Sequence, residues 1–150
     1  MGSHYKGPEK ERAALSAFIN LMRASDSVVS MLFNHPGLKH GLSPSQFGTL
    51  ETLWHLGPMC QRELSRKLLK SSGNVTLVVD NLEKRGLVER RPHPSDRRMT
   101  TLHLTAKGEA LIKGLFPRHA RATAELMGVL TTGEQETLRR LCRKLGRQEA

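Results

Sequence analysis

The stretch RRPHPSDRRMTTLHLT, residues 90–105, decides how the rest of the chain is read. Two prolines, an aspartate and four arginines interrupt a sequence whose flanks carry helical periodicity. Thr101, Leu102, His103 and Leu104 then alternate polar and apolar, the two-residue period of a strand with one buried face. Residues 88–91 and 99–104 are therefore expected to be two short strands flanking residues 92–98. That loop is longer than the roughly two to five residues of an ordinary hairpin, and loops of such length tend to be functional or disordered.

Immediately upstream, Ser71, Ser72 and Gly73 open a helix that runs to Arg85 and stops at Gly86. Val75, Val78, Val79 and Leu82 fall on one face of it, while Gly73, Leu77, Asp80, Asn81 and Lys84 point the other way. A short helix over residues 61–69, with Leu64 and Leu68 inward, precedes it, and the pair makes a helix-turn-helix. Farther upstream, Ser43, Pro44 and Gln46 form a capping-box pattern that launches a helix through Phe47, Leu50 and Trp54, closed by Gly57 and Pro58. A long amphipathic helix from Pro8 to about Phe33 carries Leu15, Phe18, Ile19, Met22, Val28, Val29 and Leu32, and is broken by residues 35–41. Downstream, Thr105 caps a helix bearing Leu111, Leu115, Ala122 and Leu126, with Pro117 as an expected kink. Thr131 and Glu134 begin a last helix with Leu138, Leu141 and Leu145.

The expected fold is mainly α with a small β-hairpin, a winged helix-turn-helix flanked by N- and C-terminal helices. Its expected parts are an N-terminal helix and loop over 5–40, a winged lobe over 41–105 and C-terminal helices over 106–150. Residues 1–4 read as a remnant of expression and are left out of the fold.

Composition narrows the function. The chain has 150 residues, 24 Lys or Arg against 14 Asp or Glu, and a net charge of +10, which favours partners that present negative charge. No apolar run reaches the ~18 residues that span a bilayer, and no secretory leader is evident, so the cytoplasm is the expected compartment and no membrane partner is expected. RNA is disfavoured because aromatics are 4% and none lies in the basic segment to stack on bases. An enzyme is disfavoured too, since no nucleophile elbow, phosphate-cradling glycine loop or metal triad occurs. No cofactor is expected.

Double-stranded DNA remains as the leading partner. The second helix of the motif suits the major groove, and Ser71, Ser72, Asn74 and Thr76 carry short polar groups that reach phosphates or base edges. Leu77, opposite the valine stripe, suits a thymine methyl, although Ser71 as a plain helix cap and Leu77 as an ordinary exposed leucine is the blander alternative. In the loop, Arg97 and Arg98 suit a narrow minor groove, with Asp96 placed to hold one of them, and Arg90 and Arg91 at its base suit phosphates. Residues 84–98 hold six Lys or Arg against Glu89 and Asp96.

The run from Leu42 to Leu111, above all GNVTLVVDNLEKRGLVER, the D-x-R pattern at Asp96 and Arg98, and LT-x-KG at Leu104 to Gly108, resembles the MarR family of bacterial transcriptional regulators. The resemblance implies a homodimer whose N- and C-terminal helices, residues 5–40 and 106–150, are dimerisation helices intertwined as one domain, two winged modules whose DNA-binding lobes over 41–105 are set for a palindromic operator, and a small-molecule effector pocket between the dimer helices and the DNA-binding lobe. It also implies that Arg98 is the wing arginine of the minor groove and Asp96 its brace. A repressor released by an aromatic or anionic effector is the leading expectation, with Arg23, Arg118 and His119 as candidate anchors for it. The alternatives are a non-specific architectural nucleic-acid protein, or a redox- or zinc-responsive regulator of the same fold.

Two cysteines bear on the redox alternative. Cys60 stands where family members often have a threonine completing a capping box with Glu63; a thiol accepts poorly, and the helix N-terminus favours its thiolate. A tolerated replacement is the simpler reading of Cys60, and packing that of Cys142. His35, His40, His55 and His119 are the candidates for zinc, but no Cys or acidic ligand accompanies them and no i, i+4 pair occurs, so no metal site is expected.

Overall fold

The computed structural model describes residues 3–68 and 72–148, and the chain divides into two compact units. One comprises residues 38–119; the other comprises residues 1–37 and 120–150. Among the described residues no helix is long and apolar enough to cross a membrane.

The 38–119 unit holds α2 (Pro44–Leu56), β1 (Met59–Cys60), α3 (Gln61–Leu68), α4 (Ser72–Lys84), β2 (Val88–Pro92) and β3 (Thr100–Leu104). Helix α5 (Ala106–Met127) begins in this unit, after α1 (Glu9–Phe33) and a 3-10 turn at Pro36–Leu38 earlier in the chain. The α2 start is as expected. Ser43 Oγ accepts the Gln46 N–H at 3.1 Å and Gln46 Oε1 accepts the Ser43 N–H at 2.9 Å, so two donors left over at a helix N-terminus are satisfied reciprocally.

Helix α4 ends on Gly86, whose φ of 71° an L side chain rarely adopts. The Gly86 and Leu87 amides turn back to the carbonyls of Glu83 and Leu82, closing the helix and aiming the chain into β2. Phe47, Leu50, Leu64, Val79, Leu82 and Ile112 are among the side chains packed in the core. The turn between α3 and α4, with Ser71, lies outside the described residues, as does the side chain of Ser72.

The wing is larger than a hairpin. A third strand, β1, pairs antiparallel with β3, giving the order β1-β3-β2 and the register Met59 to Leu102 and Cys60 to Thr101. The sequence reading missed β1 because two residues between Pro58 and a helix carry no period. Cys60 thus stands in a strand, directly before α3. Strand β2 pairs with β3 from Val88 opposite Leu104 to Pro92 opposite Thr100. Leu102 is buried beneath the sheet and Leu104 is half-buried.

The motif LT-x-KG clasps the α4–β2 corner. Thr105 Oγ1 donates to the Gly86 carbonyl at 2.6 Å, the Thr105 N–H donates to the Leu87 carbonyl at 3.1 Å, and Lys107 Nζ donates to the Arg85 carbonyl at 3.0 Å. Thr105 Oγ1 also accepts the Gly108 N–H at 3.0 Å and so caps α5. A Cβ on Gly108 would stand 2.0 Å from the Leu87 oxygen, so only glycine fits. Pro117 lies inside α5, which continues through it as one helix.

The other unit holds α1, the second part of α5 and α6 (Thr132–Gly146). Thr131 Oγ1 accepts the Glu134 N–H at 3.1 Å and Glu134 Oε1 accepts the Thr131 N–H at 3.2 Å, the expected capping box. Burial here is sparse: Leu32 is the one buried residue of α1, and α6 has none. Leu21, Val28, Leu126, Leu130, Leu138 and Cys142 line an apolar groove of about 430 Å³. Cys142, expected to pack, is exposed on the single chain.

Candidate nucleic-acid interface

The wing tip is a turn closed by backbone bonds and by the side chains of His93 and Asp96. His93 donates its N–H to the Met99 carbonyl at 2.9 Å, and Met99 donates to the Asp96 carbonyl at 3.1 Å. His93 Nδ1 accepts the amides of Ser95 and Asp96 at 3.1 and 3.2 Å. Asp96 Oδ1 in turn accepts the Arg98 N–H at 3.0 Å and its Nε–H at 3.2 Å.

The Arg98 backbone amide first, and its side chain second, hold the Asp96 carboxyl below the usual carboxylate range. The brace is therefore ionised at neutral pH. Arg98 itself remains 90% exposed, its guanidinium held at one nitrogen and open at the others. Such a pair contributes little to stability in water, but it fixes where the charge sits. Arg97 is exposed beside it.

The two arginines at the base of the wing sit in different settings. Arg90 is only 26% exposed and bonds Asp80 at 2.7 Å and Glu83 at 3.0 Å, both on α4. It ties β2 to the helix, a role that sequence order could not show, because its partners lie seven and ten residues away on another element. Arg91 pairs with its strand neighbour Glu89 and is exposed.

On α4, Val75 and Val79 are buried, and Leu77 is 70% exposed. Asn74 is exposed near the helix start. The Thr76 hydroxyl accepts from Gln61 Nε2 at 2.6 Å and so links α4 to α3. Gln46 Nε2 donates to Asn81 Oδ1 at 2.8 Å, tying α2 to α4. The helix is thus held by polar bonds to its neighbours while Leu77 stays outside them.

Of the four histidines considered for zinc, His40, His55 and His119 lie among rings, while His35 faces Glu125 at 3.6 Å. Phe47 stacks on His119 at 4.3 Å and on His40 at 5.8 Å between centroids, and His55 meets Trp54 and Phe116 edge-on, each at 4.7 Å. Burial pushes His119 below its ordinary value, partly opposed by Glu51. Burial, then the charges of Arg118, His119 and Arg85, push His40 down as well. Arg118 is exposed next to His119 on α5, and Arg23 lies on α1 in the other unit. Among the described residues no group of three or more His, Cys, Asp or Glu is arranged to hold a metal ion.

The MarR family model matches residues 42–100, the span of α2, the helix-turn-helix and the wing tip. The HTH-type transcriptional regulator MhqR of Bacillus subtilis is 38% identical over 133 residues, 89% of this chain and 91% of that protein. The transcriptional repressor MprA of Escherichia coli K12 is 40% identical over 83 residues, 55% of this chain and 47% of that protein. The solved structure of BpsR from Bordetella bronchiseptica, whose DNA binding is described as regulated by 6-hydroxynicotinic acid, superposes with a TM-score of 0.78. Its identity is 25%, over 87% of this chain and 98% of that one. A winged helix-turn-helix of this layout, matched to MhqR over nearly its whole length, leaves one conclusion: the chain belongs to the MarR family and is a DNA-binding transcriptional regulator.

Proposed function

We propose that the protein acts as a homodimeric repressor that holds a palindromic operator and is released from it by a small aromatic or anionic effector. The observation that carries the DNA-contact part is Arg98, 90% exposed yet held by Asp96 at the tip of a wing. A guanidinium so placed suits the negative potential of a narrow minor groove. Asn74 and Leu77, exposed on the first turns of α4, then face the major groove, with Leu77 against a thymine methyl. Arg97 and Arg91 supply phosphate contacts, and Arg90 keeps β2 fixed to α4. The repressor sense follows MprA, and the effector class follows BpsR. Arg118 and His119 on α5, and separately Arg23 on α1, are candidate anchors for an anionic effector.

Selection from a random duplex library by the full chain tests this reading. The expected product is an inverted repeat with half-sites about 10 base pairs apart, one helical turn. At fixed salt it binds far more tightly than its scrambled sequence; equal binding supports the architectural alternative. Arg98→Ala is expected to weaken binding and to reduce the slope of log affinity against log salt by about one per lost contact. Unchanged affinity removes the wing from the reading. Release of the selected duplex by 6-hydroxynicotinic acid, other aromatic acids, quinones, oxidants or zinc then sorts the effector.

A further inference from the structure

His93 has a task that turn composition does not reveal. Its Nδ1 is reached from Cα through Cβ and Cγ, the same bond path that leads to Oδ1 in asparagine or aspartate. Those residues commonly accept backbone amides two and three positions on. His93 does this here with the Ser95 and Asp96 amides, at 3.1 and 3.2 Å. Pro94, which has no N–H, leaves Ser95 as the first available donor and restricts the chain between them. The two amides gathered by the ring belong to the residue that grips Arg98 and to its neighbour. The order of contact is ring, Asp96 backbone, Asp96 carboxylate, Arg98 guanidinium.

We propose that His93 is the positioning residue of the wing, an asparagine-like acceptor that fixes Asp96 so that Arg98 is already ordered before DNA arrives. This rests on the reading that Arg98 contacts DNA. An unordered side chain gives up rotamer freedom when it is immobilised at an interface. A wing that has lost the His93 bonds surrenders that advantage at binding, a loss of about three- to tenfold in affinity. The acceptor role also fixes the tautomer: Nδ1 offers its lone pair and Nε2 carries the proton.

The test uses the full chain and the duplex recovered by the selection. His93→Ala is expected to weaken binding about three- to tenfold for each wing, about ten- to hundredfold for a dimer on its two half-sites, and His93→Asn, which keeps an acceptor at the same bond distance, to stay within about twofold of the parent. In an Arg98→Ala background, His93→Ala is expected to add no further loss, because it acts through that guanidinium. The nitrogen shifts of the neutral His93 ring are expected to show the tautomer with its proton on Nε2 and a bare Nδ1 in the free protein. Parental binding by His93→Ala, failure of His93→Asn to restore it, an equal loss in the Arg98→Ala background, or a protonated Nδ1 each overturn the proposal. If Arg98→Ala alone binds like the parent, it is the wing reading that fails, and the positioning role goes with it.

Discussion

Single residues in this chain carry obligations that their type alone does not announce. Gly108 is one, because a Cβ there would lie 2.0 Å from the Leu87 carbonyl oxygen, and backbone cannot swing aside as a flexible side chain can. Gly108→Ala is expected to lower the unfolding free energy by about 1–3 kcal/mol, the range for overpacked sites; an unchanged urea midpoint would show that α5 can shift at no cost. His119 is another. Burial holds its pKa, and that of His40, below the ordinary histidine value, so the unfolded chain takes up protons first as the pH falls. The stability they contribute is full above an unfolded pKa of about 6.5 and is lost as the pH drops below it. Urea midpoints are therefore expected to fall between about pH 7 and pH 5, and to fall less in His119→Phe, which keeps a ring against Phe47. An identical fall in the variant would clear His119 of any part in it.

Among the elements, those with a local signal were readable in advance. The Ser43–Gln46 box sets the start of α2, and both of its hydrogen bonds are present. Ser43→Ala is expected to cost about 1 kcal/mol, the usual loss of a cap. The same change should leave DNA affinity alone, since Gln46 still reaches Asn81 on α4; a larger drop in affinity than in stability would place the α2 start at the interface. Helix α6 was legible for the same reason, from Thr131 and Glu134, and Gly86 marked the end of α4. Strand β1 was not, because two residues cannot display alternation and its partner Thr101–Leu102 lies 41 or more residues away. The wing divides in the same manner. Asp96 and Arg98 are two apart and their bond follows from spacing. Arg90 with Asp80 and Glu83, and Thr76 with Gln61, join different elements that only the folded chain brings together. His93 lay in plain view, but histidine is not among the residues by which turns are usually recognised.

At the scale of the whole molecule, the terminal helices have far more apolar surface than one chain covers. Phe18, Met22, Met31, Leu141 and Leu145 are each about half exposed, and Val129 is 87% exposed. Isolated exposed apolar residues are ordinary, but a series of them along two helices with a single buried residue between them is what an association surface needs. On the homodimeric reading proposed above, a second copy of the chain is the occupant of this surface. Folding is then linked to association, and the thermal midpoint is expected to rise with protein concentration across the micromolar range. Leu141→Glu separates this from trivial surface behaviour. At an exposed position of a monomer, such a change shifts stability within about 0.5 kcal/mol. In a dimer it places two carboxylates in the shared apolar seam, and the variant is expected to sediment as a monomer, melt lower and lose its dependence on concentration. It should also bind the selected duplex as separate half-sites, with the cooperativity of the pair gone. A variant that melts like the parent and still sediments as a dimer would move the interface away from α6.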